Sequence, residues 1–155
     1  MSKMKYLFLT IIMMGFVACD KVPSNGDLDG QWQLIEISKP IDETDELYTN
    51  TQSVKDQRIY WAFQLDLLNM YTQLDNLNGY TSNTVARFKH ENGELSLPSI
   101  YIHFHNRDSL LTDPLTTTLE SVGIKGNQAN FQVERLDSKK MILKSSYNRL
   151  VFRRF

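Results

Sequence analysis

His103-Phe104-His105 places two imidazoles two residues apart. On a β-strand that spacing puts both on one face, where they could share a divalent cation. A third histidine, His90, lies on an earlier segment, and three imidazoles around one ion would leave an open coordination position of the catalytic type. The simpler arrangement has the strand histidines facing solvent, opposite Ile102 and Phe104, so no metal and no other cofactor is expected. The acidic pairs Asp42-Glu43 and Asp45-Glu46 could act as acid and base only across a cleft of defined width. In a polar stretch without clean periodicity they are expected to be solvated. No Gly-x-Ser-x-Gly elbow is present for a serine nucleophile. The seven glycines are scattered singly rather than gathered in a phosphate-binding loop. The chain is therefore expected not to be an enzyme.

Cys19 is the one cysteine in 155 residues, which excludes a disulfide framework and any multi-thiolate site. It stands at the end of a segment built like a secretory leader. Lys3 and Lys5 give a basic start, and Tyr6 to Val17 runs apolar with only Thr10 and Gly15 interrupting. A spanning helix needs about 20 apolar residues, so this run is too short to cross a membrane, and Asp20-Lys21 ends it. Phe16-Val17-Ala18-Cys19 resembles the lipobox of bacterial lipoproteins, with Phe16 where leucine is usual. That resemblance implies cleavage after residue 18, lipid on Cys19 and stable anchoring by several acyl chains. Residues 1–18 are then a signal peptide. Residues 19–29, polar and rich in turn formers, are a tether whose ten residues after Cys19 reach roughly 18 Å. The expected location is the cell envelope, the outer membrane favoured over the inner, with the leaflet left open.

Lys plus Arg total 17 and Asp plus Glu 18, a formal net charge of −1 without a basic patch, so nucleic acid is not an expected partner. Hydrophobic residues at 41% and charged residues at 23% fit a globular domain. From Gly30 onward the apolar residues recur with period two. Ile59, Trp61, Phe63 and Leu65 share one face, with Tyr60, Ala62 and Gln64 opposite. The same pattern predicts strands over 31–37, 84–90, 94–97, 100–105, 130–136, 141–145 and 149–154, and 67–73 fits a strand paired back on 59–66. Asn78-Gly79, Asn92-Gly93, Gly126-Asn127, Asp137-Ser138 and Tyr147-Asn148 supply turns, of which Asn92-Gly93 is the strongest hairpin signal. Asp113-Pro114 opens 113–121 with an N-cap and a first-turn proline, but three threonines follow, so a short helix and an extended lid are both open. Residues 38–57 read as a long loop with a helical turn near Val54. Strands of five to eight residues, broken by Arg87, Lys89, Glu134, Arg135 and Lys144, do not fit an outer-membrane barrel. The fold class is all-β: one domain over 30–155, an antiparallel meander barrel of about eight strands with room for one short helix.

Gly30-Gln31-Trp32 at the first strand resembles the Gly-x-Trp of lipocalins and related calycin barrels. The layout of residues 19–155 also resembles the small lipocalin-like lipoproteins common in Bacteroidales. The resemblance implies that Trp32 closes one end of the barrel beneath an arginine from the last strand, Arg153 or Arg154. The chain lacks the long helix that follows the last strand of true lipocalins.

Trp61, Phe63, Phe88, Phe104, Phe131 and Phe152 fall on the apolar faces of these strands. They either fill the core or line a barrel mouth, since eight strands enclose an interior that side chains fill or that holds one small ligand. Two functions follow from the resemblance. One is a lipid-anchored module that binds a small apolar or amphipathic ligand. The other is an accessory protein with a filled barrel that docks another envelope component. In the first, residues 38–57 would form a lid over the mouth opposite Trp32.

Overall fold

The computed structural model describes residues 25–40, 48–73, 84–104 and 107–155, with backbone only at 103 and 104. The leader, Cys19 and most of the tether lie outside the described residues, as do Asn78-Gly79 and the acidic pairs at 42–46. Among the described residues ten strands form: β1 (Gly30–Pro40), β2 (Tyr48–Ser53), β3 (Ile59–Gln64), β4 (Leu67–Thr72), β5 (Thr84–Glu91), β6 (Glu94–Phe104), β7 (Arg107–Leu110), β8 (Ala129–Leu136), β9 (Lys140–Lys144) and β10 (Arg149–Arg154). Eight of them pair in the order β1-β3-β4-β5-β6-β8-β9-β10, and β10 returns to β1, so the sheet closes into an antiparallel barrel. Among the described residues, closure leaves an unpaired edge only on the short strands β2 and β7.

The two additional strands share an edge with a barrel strand. β1 pairs with β3 over Gly30–Gln33 and with β2 over Glu36–Pro40. β6 likewise pairs with β8 over Glu94–Leu97 and with β7 over Tyr101–Phe104. The expected loop over 38–57 is thus corrected: β1 continues to Pro40, Tyr48–Ser53 is a strand, and a single 3-10 turn occupies Lys55–Gln57. Polar residues fill Tyr48–Ser53, so the segment lacks alternation. Its strand conformation comes from pairing with β1, which overrides the weak local preference. The short helix left open at 113–121 does not form either. Asp113 accepts the Leu115 amide with its side chain, and the only helical turn there is a 3-10 turn at Glu120–Val122. Three threonines, stiff at χ1, explain why the capping signal does not propagate.

The inner faces follow the alternation. Trp32, Leu34, Ile59, Trp61, Leu68, Met70, Ala86, Leu95, Leu97, Ile100, Leu143, Leu150 and Phe152 are all fully buried. Predicted strands 94–97 and 100–105 are one strand, β6. Its inward set shifts phase between Leu97 and Ile100, where the ladder with β5 slips between Arg87 and Lys89. Pro98 sits at that bulge, the place in a sheet that tolerates a missing N–H. Asn92-Gly93 joins β5 to β6 with both residues in the left-handed region (φ 53° and 79°), as a two-residue hairpin requires.

Asp137 holds the β8–β9 turn. Its carboxylate accepts the Lys139 and Lys140 amides at 2.9 Å each and the Arg135 Nε at 2.6 Å. The Lys139 amide, then Arg135 and the Lys140 amide, hold its pKa down from 3.8 to about 2. A depressed folded pKa means that its stabilising contribution is present above the unfolded value and is lost as the pH falls from about 4 towards 2. A carboxyl NMR titration is expected to give a midpoint of about 2. A midpoint at the ordinary value would show that these bonds do not hold the turn.

Candidate functional site

One end of the barrel is sealed by Trp32. Its indole N–H donates to the Leu28 carbonyl at 2.9 Å, and Leu28 is itself fully buried on a 3-10 turn at Gly26–Leu28. The Arg154 guanidinium lies 4.9 Å from the Trp32 ring centroid and donates to the Asp27 carbonyl at 2.8 Å. Stacking of a planar cation on an indole combines dispersion with attraction to the ring quadrupole. Gly30 makes room for it: a Cβ there would meet the Arg154 Nη2 at 2.8 Å, and its φ of 112° suits glycine. Arg153 points elsewhere, donating to the Gln33 side chain at 2.8 Å on the outer face. Of the two candidate arginines, the structure places Arg154 over the tryptophan.

The lumen is occupied by rings. Trp61 lies 5.0 Å from Phe152, 5.9 Å from Phe131 and 6.3 Å from Phe63, and Phe63 meets Phe88 edge-on at 5.1 Å. The Trp61 indole N–H is buried among the described residues without a hydrogen-bond partner. Such an orphan costs about 1–3 kcal/mol.

The end opposite Trp32 is covered by the segment between β7 and β8, which joins the core through Leu119, Val122 and Ile124. The buried Asn148 side chain donates to the Gly123 carbonyl at 2.8 Å and fixes this plug to the β9–β10 turn. The structure thus gives the covering role to residues 119–124. β2 prolongs the wall beside β1 at that end, and residues 41–47 lie outside the described residues.

Beside the plug the wall is incomplete. β8 pairs with β6 from Ala129 onward, but its ladder with β9 begins only at Gln132, opposite Lys144. Ala129–Phe131 therefore face the turn at Ser145–Tyr147 across a cleft of about 280 Å³. Ile124, Ala129 and Phe131 form its apolar part, and Lys125, Asn130, Ser146 and Tyr147 its polar rim. The Lys125 and Lys39 ammoniums lie 5.1 and 5.0 Å from the Tyr147 ring centroid. Lys39 also donates to the Tyr147 hydroxyl at 3.1 Å, a bond that holds the lysine pKa above 10.5.

Residues 12–155 match the family model of the lipocalin-like domain. The chain belongs to this lipocalin-like family. Among solved structures it is similar to a lipocalin-like protein from Bacteroides uniformis ATCC 8492, at 19% identity over 84% of this chain and 100% of that one, with a TM-score of 0.55. It is also similar to an uncharacterized protein from Bacteroides eggerthii DSM 20697, at 22% identity over 83% and 99%, with a TM-score of 0.54. At these identities the likeness is one of fold. No curated protein matches the chain.

In this lipocalin-like barrel Trp61, Phe63, Phe88 and Phe152 belong to the ring cluster, and Phe131 both touches that cluster and lines the cleft. The Phe104 side chain lies outside the described residues. His105 lies outside the described residues, and the backbone positions of His90 and His103 stand far apart. His90 opposes Leu95 in the β5–β6 register, eight residues along β6 from His103, which is about 26 Å of strand. The clash with the metal reading is one of register, invisible until strand partners are known. The cleft is not legible in the sequence because its parts, Pro114, 123–131 and 145–147, are far apart along the chain and carry no motif. Its one local signal is the pair of turns Gly126-Asn127 and Tyr147-Asn148.

Proposed function

We propose that this chain is a non-catalytic binding module of the bacterial cell envelope, held by lipid on Cys19 and taking one small amphipathic molecule at the side cleft. The observation that supports binding is the break in the wall between β8 and β9, which brings the core ring Phe131 to the floor of a 280 Å³ cleft with a polar rim. Ile124, Ala129 and Phe131 give the cleft an apolar surface, and Lys125, Asn130 and Tyr147 supply polar groups of the kind that orient a small molecule. Anchoring agrees with the chain path: Asn25 donates to the Leu65 carbonyl at the Trp32 end, so a lipid on Cys19 would hold that end towards the membrane and leave the cleft on the far side. A filled barrel that docks another envelope component is the second reading, favoured by the ring contacts that occupy the lumen. Native mass spectrometry of the protein taken from its own membrane fraction tests these readings. A chain starting at an acylated Cys19, with a small adduct released on activation, is the expected result. An unmodified thiol would end the anchoring proposal, and a protein partner in place of the adduct would favour the second reading.

A further inference from the structure

The cleft carries a charge pattern that narrows its ligand. Its lining contains Lys125 and no carboxylate. Two ammoniums, Lys125 and Lys39, approach the single ring of Tyr147, and a third, Lys144, lies 5.3 Å from the neighbouring Tyr48 ring. Surface cations at this density are ordinarily interleaved with acids. Among the described residues the ion pairs are Arg87–Asp66, Arg135–Asp137 and Arg149–Glu134, and none includes these lysines. Glu120 acts on Lys39 at longer range, in the same direction as the Tyr147 hydroxyl. An anion placed among the three ammoniums would be attracted by each of them. The volume of about 280 Å³ lies just below the roughly 300–1,000 Å³ range of ligand pockets, so the occupant is compact.

We infer that the cleft takes a small organic anion, its charged group beside Lys125 and Tyr147 and its apolar body over Ile124, Ala129 and Phe131. The inference rests on the small-molecule reading above and adds the sign of the charge and the residues that read it. The anionic group sits at the rim in contact with water. Affinity is therefore modest and falls with ionic strength, because exposed charges separated by more than a Debye length are screened.

The test uses the mature lipoprotein in nanodiscs, labelled at isoleucine methyls, with benzoate, benzylammonium and benzyl alcohol as probes of one size and three charges. Benzoate is expected to shift the Ile124 methyl saturably while the core reporters Ile59 and Ile100 stay in place. Benzylammonium is expected to give no such shift, and benzyl alcohol a weaker one. Lys125→Ala is expected to weaken benzoate about threefold, the worth of one exposed ion pair, and Lys125→Glu to abolish the saturable shift. Lys125 is exposed, so neither change threatens the fold. Equal affinity for benzoate and benzyl alcohol would overturn the charge assignment. Movement of Ile59 and Ile100 without Ile124 would overturn the cleft while leaving small-molecule binding intact. No shift with any probe would overturn the inference outright, and the native adduct described above then decides the broader reading separately.

Discussion

Trp32→Ala is expected to lower the free energy of unfolding by about 3–5 kcal/mol, the range for truncating a buried large aromatic. Trp32 is fully buried, and its loss would also strip the Leu28 carbonyl of its donor and Arg154 of the ring beneath it. Arg154→Ala separates these contributions. It removes the stack and the bond to the Asp27 carbonyl but leaves the indole in place, so its cost is expected to stay near the 0.5–2 kcal/mol of a cation–π contact. Arg153→Ala, losing only the part-buried bond to the Gln33 side chain, is expected to cost less again. Urea unfolding of the three variants checks the order. A loss below about 1 kcal/mol for Trp32→Ala would show that the seal does not depend on the indole.

The parts of this fold that sequence reveals are those fixed by neighbours in the chain. Period-two alternation locates β3, β5, β8, β9 and β10 to within a residue or two, because each turns a face to the core, and β4 follows by pairing back on β3. Asn92-Gly93 fixes the β5–β6 hairpin because its left-handed backbone suits few other dipeptides. β2 and β7 are illegible for the opposite reason. Tyr48–Ser53 has no buried residue and Arg107–Leu110 none either, so their strand character resides in β1 and β6. The seal shows the limit of a motif: Gly-x-Trp points to Trp32, but only the register Trp32↔Arg154 chooses between adjacent arginines. The filled lumen is a three-dimensional fact. Alternation shows that Trp61, Phe131 and Phe152 face inwards, whereas ring distances show that they meet. The plug at 119–124 lies nearer the extended-lid alternative for 113–121 than the helix, and its buried Leu119, Val122 and Ile124 carry only a single 3-10 turn.

That plug is where one added methyl group should have a large effect. Gly123 has φ 91°, and a Cβ on it would lie 2.7 and 2.8 Å from the two terminal carbons of Leu150. Leu150 is fully buried on β10, opposite Leu143 and Ile37, and has no room to retreat. Gly123→Ala combines a left-handed non-glycine backbone, about 1–2 kcal/mol, with overpacking of about 1–3 kcal/mol. An overall destabilisation of roughly 2–5 kcal/mol is expected. Asn148→Ala attacks the same attachment by leaving the Gly123 carbonyl without its donor, at about 1–3 kcal/mol. The two changes share one contact, so their combination is expected to cost less than the sum, because a plug already displaced has nothing further to lose at Asn148. Gly123 and Ile124 also line the cleft, so a loosened plug should blunt the benzoate shift in a protein that still folds at lower temperature. Amide exchange separates local from global effects: protection is expected to fall at 119–126 and to persist in β3 and β10. Additive costs with unchanged protection at 119–126 would mean that the segment is not held through Gly123, and that the lumen is closed by its rings alone.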